Sequence, residues 1–246
     1  MPERSLRVCA LYPDLMNIYA DRGNLIVLER RCAWRGLRFE LAASGLGDPL
    51  EPEYDLYYIG GGQDRDQRLC AEDLLAHKAP ALREAAGNGA VVLGVCGGYQ
   101  LLGRSYTLGS ERIEGVGLLD LETVREEGPR LIGNIAIAPE ELPDTPPGAV
   151  LAGFENHGGR THLAAGQQPL GRVLRGHGND GAGDFEGAVV ENVIGTYLHG
   201  PLLPKNVWFA DWLIERAIRL PAGSLAPLDD DIEQRTHGDA LRAAGV

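Results

Sequence analysis

One cysteine, Cys96, stands between Val91-Val92-Leu93-Gly94-Val95 and Gly97-Gly98-Tyr99-Gln100-Leu101-Leu102-Gly103. The order is an apolar run, a tight turn, then apolar residues at helical spacing, so the segment reads as strand, elbow and helix. A turn of that kind exposes the thiol, and the helix start beyond it offers unpaired N–H groups and positive dipole. Both lower the energy of the thiolate, the reactive form. The glycines admit backbone angles closed to other residues and leave room for a substrate. The same strand-turn-helix logic presents the serine of many hydrolases, here with sulfur as nucleophile. A lone cysteine at the end of a core strand is otherwise a buried, inert residue. The glycine context reverses that reading, provided a histidine arrives from elsewhere in the chain.

A cysteine nucleophile needs a base and a donor for the leaving group, and histidine supplies both near neutral pH. The six histidines are His77, His157, His162, His177, His199 and His237. His199 lies in Gly195-Thr196-Tyr197-Leu198-His199-Gly200-Pro201, after a short apolar strand and before a Gly-Pro turn. It therefore falls at the carboxyl end of a strand, the edge where open α/β sheets place their sites. His157 follows another strand, in Glu155-Asn156-His157-Gly158-Gly159-Arg160. His199 is the first choice for the base and His157 the second. A strand-end histidine that only bonds a turn is the structural alternative for both.

The oxyanion formed when a thiolate attacks an amide needs two convergent N–H groups. Gly97 supplies one. Gly60-Gly61-Gly62, at the end of the preceding strand, can supply the other. No Lys-Ser/Thr follows that glycine run, which argues against a Walker-type nucleotide loop.

The elements that must carry these residues alternate in the first half. Strands are expected at 6–12, 37–41, 55–59 and 91–95. Helices are expected at 25–34 and 69–86, the second broken near Pro80. This alternation predicts βαβ units and a mostly parallel sheet with helices on both faces. The second half reads as strands at 118–124, 131–138, 150–154, 187–190 and 193–197, an antiparallel extension, followed by a helix at 206–220. Residues 166–183 are rich in glycine and read as a mobile loop. The chain divides into one domain over 1–220 and a tail or loosely docked helix over 221–246.

With 246 residues the chain can bury a sizeable core. Its 44% hydrophobic and 24% charged residues are ordinary for a globular protein. The net charge of −12 argues against a nucleic-acid surface. Cys9, Cys32, Cys70 and Cys96 show neither paired nor metal-ligand spacing, which fits a reducing cytoplasm better than a disulfide scaffold. The N-terminus lacks a signal-like apolar region, and no apolar run approaches the ~20 residues that cross a bilayer.

Taken together, these motifs resemble the class I glutamine amidotransferases, and Cys96-Gly97-Gly98-Tyr99-Gln100 resembles their cobyric-acid-synthase-like branch. Within it, four segments are similar to the small glutaminase subunits of lipid II isoglutaminyl synthase. They are the opening Leu11-Tyr12-Pro13-Asp14-Leu15-Met16-Asn17-Ile18-Tyr19-Ala20-Asp21-Arg22-Gly23-Asn24, then Tyr58-Ile59-Gly60-Gly61-Gly62-Gln63-Asp64, Gly153-Phe154-Glu155-Asn156-His157-Gly158-Gly159-Arg160-Thr161, and Tyr197-Leu198-His199-Gly200-Pro201-Leu202-Leu203-Pro204-Lys205-Asn206. The resemblance implies a flavodoxin-like α/β fold. It implies that Cys96 attacks the side-chain amide of L-glutamine while His199 moves the proton. The oxyanion would sit between Gly97 and the Gly61-Gly62 turn, and Gln100 would help hold the substrate. Arg130, before Leu131-Ile132-Gly133, matches an arginine tied to glutamine binding, and its fork suits a carboxylate. A surface charge at a strand start is the plain reading of the same residue.

The resemblance also implies a partner, a MurT-like Mur ligase subunit that holds lipid II, ATP and magnesium. This chain itself would need no cofactor or metal. Pro201 stands where the wider superfamily carries its triad acid, so either another residue of this chain or the partner supplies that carboxylate; the resemblance implies the ligase subunit, which would then raise the glutaminase rate. Three other readings stay open: a glutaminase serving a cobyrinic-acid-type synthetase, a silent binding module of the same fold, and a cysteine peptidase of similar fold. The first would ordinarily carry its synthetase in the same chain.

Overall fold

The computed structural model describes residues 4–18, 21–139 and 142–246. Tyr19 and Ala20 of the opening motif lie outside the described residues. Along the chain run β1 (Ser5–Leu11), α1 (Arg22–Trp34), β2 (Arg38–Ser44), β3 (Leu56–Ile59), α2 (Asp64–Asp73), a π-helical turn (Leu74–Lys78), α3 (Ala79–Gly87), β4 (Val91–Val95) and α4 (Gly97–Leu102). There follow β5 (Ser105–Leu108), β6 (Glu111–Glu114), β7 (Leu121–Arg125), β8 (Leu131–Ala138), β9 (Leu151–His157), β10 (Gly159–Leu163), β11 (Gly171–Arg175), β12 (Phe185–Glu186), β13 (Ala188–Val190) and β14 (Val193–Thr196). The chain ends in α5 (Leu202–Lys205), α6 (Val207–Ala217) and α7 (Asp231–Ala244).

The central sheet has the order β13-β14-β4-β3-β1-β2, and every pairing in it is parallel except β13 with β14. Strands β3 and β4 are buried along their whole length, as strands covered on both faces must be. Two further four-stranded sheets, β10-β7-β5-β6 and β12-β11-β8-β9, form the extension.

Three expectations need correction. The helix expected at 69–86 starts at Asp64, and its irregularity is the π-helical turn at Leu74–Lys78. Pro80 lies in the first turn of α3, where its missing N–H costs no hydrogen bond. The stretch at 166–183 is not a bare loop: β11 pairs there with β8 and β12. Strands β5, β6 and β10 lie where no strand is expected from the sequence. They are four or five residues long, too short to show a period.

The segment after 220 folds back as α7. Asn134 Nδ2 donates to the carbonyl of Ala243 at 3.0 Å, and His237 Nδ1 donates to that of Lys205 at 2.7 Å. Arg31, with its side chain 1% exposed, is bonded to Asp211 of α6 and to Asp230 just before α7.

Candidate active site

Cys96 follows β4 directly, with φ 53° and ψ −106°. A non-glycine residue seldom adopts such angles, and the elbow is held there by its neighbours. Its N–H donates to Thr196 O at 2.8 Å, and Gly98 N donates to Gly60 O at 3.0 Å. A Cβ at Gly98 would lie 2.2 Å from the carbonyl oxygen of Ile59, and one at Gly94 2.7 Å from Leu102. The flanking glycines are therefore fixed by close packing of β3, β4 and α4.

Cys96 is 7% exposed and lines a cavity of about 420 Å³, a size suited to a small metabolite. Ile18, Gly62, Asp64, Gln100, Arg130 and His157 share its walls. Burial pushes the thiol up to about 12, with the charge of Asp21 adding to that; the Gly97 amide bonded to the sulfur and the charge of Arg130 oppose it. The elbow's amides and glycines are expected to favour thiolate; burial outweighs them.

The glycine turn is less open than its sequence suggests. Gly61 N–H donates to Asp21 Oδ2 at 2.7 Å, so that amide is already engaged. Gly62 lines the cavity, and its nitrogen lies 3.1 Å from where a Cβ on Gly97 would stand. Of the two expected turn residues, Gly62 is the one whose amide can converge with that of Gly97. Asp21 holds the turn from behind and is fully buried, and burial lifts its carboxyl from 3.8 to about 7.

His199 comes from the strand next to the cysteine's. Strands β14 and β4 are parallel with Thr196 opposite Val95, so both residues leave the same sheet edge. His199 is completely buried and pairs through its backbone with Phe154. Burial, then the charges of Arg130 and Lys205, lower its imidazole to about 4, so it is neutral at pH 7 and able to accept a proton. His157 lines the cavity itself, but its Nδ1 donates to Gly159 O at 2.8 Å. Its ring lies flat on Tyr197, centroids 3.6 Å apart, and burial lowers it to about 3.

Gln100 sits in a chain of buried polar groups. Its Oε1 accepts from Gln67 Nε2 at 2.8 Å, its Nε2 donates to Tyr197 Oη at 3.0 Å, and Tyr197 Oη meets Thr161 Oγ1 at 2.6 Å. An amide oxygen and an NH₂ group can each make one bond more, which leaves Gln100 able to touch a ligand. Arg130 is exposed at the rim, where its Nε and Nη2 donate to Asn156 Oδ1 and O. Its charge acts on both Cys96 and His199. Among the described residues no group of three or more His, Cys, Asp or Glu could hold a metal ion.

Gln67, Asp21, Tyr197 and Arg125 also build this site, and sequence reasoning did not single them out. Asp21 and Tyr197 fall inside quoted motifs. Gln67 and Arg125 have no spacing to the cysteine that could mark them.

The pattern of a CobB/CobQ-like glutamine amidotransferase domain matches residues 7–207. The chain is 39% identical over 238 residues to the lipid II isoglutaminyl synthase (glutamine-hydrolyzing) subunit GatD of Streptococcus pneumoniae, covering 96% of this chain and 87% of that protein. It is 38% identical to the subunit of the same name from Staphylococcus aureus, covering 89% and 87%. A solved structure of PurLQS from Thermotoga maritima superposes with a TM-score of 0.60 at 20% identity, over 87% of this chain and 95% of that one; this likeness is one of fold.

Proposed function

Because this chain belongs to the CobB/CobQ-like glutamine amidotransferase family, we propose that it hydrolyses L-glutamine and passes the ammonia to a MurT-like Mur ligase subunit. That ligase would amidate the α-carboxyl of D-glutamate in lipid II, in the cytoplasm, for peptidoglycan synthesis. Similarity over nearly the whole of both GatD subunits supports this acceptor over a cobyrinic-acid-type one. The observation that carries the chemistry is the strained Cys96 elbow at the cavity wall, with the Gly97 amide on its sulfur and Gly62 facing it.

The reaction then follows from the residues. Cys96 gives its proton to His199, and sulfur attacks the side-chain amide carbon of glutamine. The carbonyl oxygen takes the electron pair and rests against the amides of Gly97 and Gly62. His199 returns the proton to nitrogen as the C–N bond breaks, which releases ammonia and leaves a thioester. Water, deprotonated by His199, adds to the thioester, and glutamate and the thiol form. Gln100 and Arg130 hold the substrate. Both members of the Cys96–His199 pair are neutral at rest, so something must favour their charged form during turnover. An acid contributed by the ligase subunit beside His199, in place of a residue at the Pro201 position, would do so. ATP and magnesium would bind the ligase subunit.

The test is reconstitution with a MurT-like ligase subunit, lipid II, ATP and magnesium. Wild type should support amidation from glutamine. Cys96→Ala should abolish it while leaving amidation from added ammonium intact. Glutamine-driven amidation that survives Cys96→Ala contradicts the assignment, and a complex that amidates no lipid II contradicts the acceptor.

A further inference from the structure

Arg125, the last residue of β7, lines the same cavity as Cys96. Its guanidinium lies directly over Gly158: a Cβ there would fall 1.0 Å from Nη1 and 2.2 Å from Cζ. The absence of a side chain at Gly158 leaves the guanidinium room there. The group is only partly exposed, yet among the described residues no carboxylate, carbonyl or amide oxygen accepts a hydrogen bond from it. Arg130 differs, since the Nε/Nη2 edge of its fork is already given to Asn156. Arg125 lines the cavity with no hydrogen bond to the described residues.

Asp64, at the start of α2, lines the same space. It accepts from Tyr106 Oη at 3.4 Å and forms no ion pair with any described residue. The charges of Arg125 and Asp64 both act on Tyr106, so the two flank it. Opposite charges sharing one small cavity would ordinarily pair with each other. Here one lies over Gly158 and the other accepts from Tyr106, and no ion pair joins them. A cavity with a cation, an anion and a nucleophile in its walls complements a zwitterion with a reactive side chain.

We propose that Arg125 and Asp64 are the specificity-determining pair for the amino-acid headgroup: Arg125 binds the α-carboxylate and Asp64 the α-ammonium of glutamine, presenting its side-chain amide to Cys96. Gly158 is the positioning residue that lets Arg125 reach. This inference rests on the glutaminase reading and sharpens its substrate.

The experiment measures ammonia release by the chain, in complex with the ligase subunit, from three amides. They are L-glutamine, 4-carbamoylbutanoate (no α-ammonium) and 4-aminobutanamide (no α-carboxylate). Arg125→Ala should lower kcat/KM for glutamine and 4-carbamoylbutanoate by about ten- to a hundredfold, the scale of a lost charged hydrogen bond, and leave 4-aminobutanamide unchanged. Asp64→Asn should spare 4-carbamoylbutanoate and lower the other two. Gly158→Ala should copy the Arg125→Ala pattern, and Arg125→Lys should recover part of the loss. Equal losses on all three amides, or none, overturn the pair as headgroup clamp while wild-type turnover of glutamine keeps the glutaminase reading. Absence of wild-type turnover removes both.

Discussion

At Cys96 two demands meet: a backbone conformation with φ 53° that presents the sulfur, and a buried site that disfavours its charge. Burial likewise keeps His199 neutral, holding it at about 4. The acid limb of kcat/KM reports the base of the free enzyme. For the chain alone the rate should therefore stay level from pH 8 down to about 5.5 and fall only toward pH 4. A midpoint near 6.5 without the ligase subunit would show that a solvated histidine, not His199, is the base. Gly98→Ala should be among the most damaging single changes, because its methyl would meet the Ile59 carbonyl, which cannot move aside. We expect a loss of about 3 kcal/mol or more in denaturant unfolding. Cys96, Gly97 and His199 are legible in the sequence because an elbow and a strand-end histidine leave local patterns. The direction of the thiol's shift is not, since burial belongs to the whole fold. Arg125 leaves no pattern either: its meaning comes from Gly158, which is distant in sequence and adjacent in space.

Among the elements, the opening motif and the strand ends do the positioning. Asn24 of α1 accepts from Leu203 N at 2.8 Å and donates to Tyr58 Oη at 2.9 Å, so it ties α5, just after His199, to β3. Asn24→Ala leaves a buried N–H unpaired and should cost about 1–3 kcal/mol in unfolding experiments, with kcat falling more than KM rises. Glu186, at the end of β12, accepts from Tyr197 N at 2.5 Å and from Thr196 Oγ1, and so fixes the strand that leads to His199. Burial raises its carboxyl from 4.5 to about 8. The unfolded chain releases that proton near 4.5 and the folded chain near 8, so the stability it contributes is whole below 4.5 and lost as pH rises to 8. Glu186→Gln should therefore gain Tm relative to wild type steadily from pH 5 to pH 8; a constant difference would show that the carboxyl is ionised throughout. The βαβ alternation was legible in the buried runs of β1, β3 and β4. Strands β5, β6, β10 and β11 were not, because they are short and partly exposed. The pairing partners of β10 and β11 also lie far along the chain.

On the scale of the whole molecule, a mostly parallel sheet carries Cys96 and His199 at one edge, and the mixed extension brings Arg125, Arg130 and His157 to the cavity of Cys96. The sheet edge was foreseeable from the strand order, since sites form beyond the carboxyl ends of parallel strands. The packing of the extension onto it depends on contacts that no local pattern encodes. The C-terminal segment, legible only as a tail or a loose helix, is anchored by the buried Arg31. Asp230→Ala takes away one of its two carboxylate partners and should cost about 1.5–3 kcal/mol, measured by denaturant unfolding. The most direct test is glutamate release from L-glutamine by wild type and by Cys96→Ala, each alone and with the ligase subunit. The account predicts release that depends on Cys96 and rises when the ligase subunit is added. Release that persists in Cys96→Ala, or none from wild type even with the ligase subunit, would contradict it.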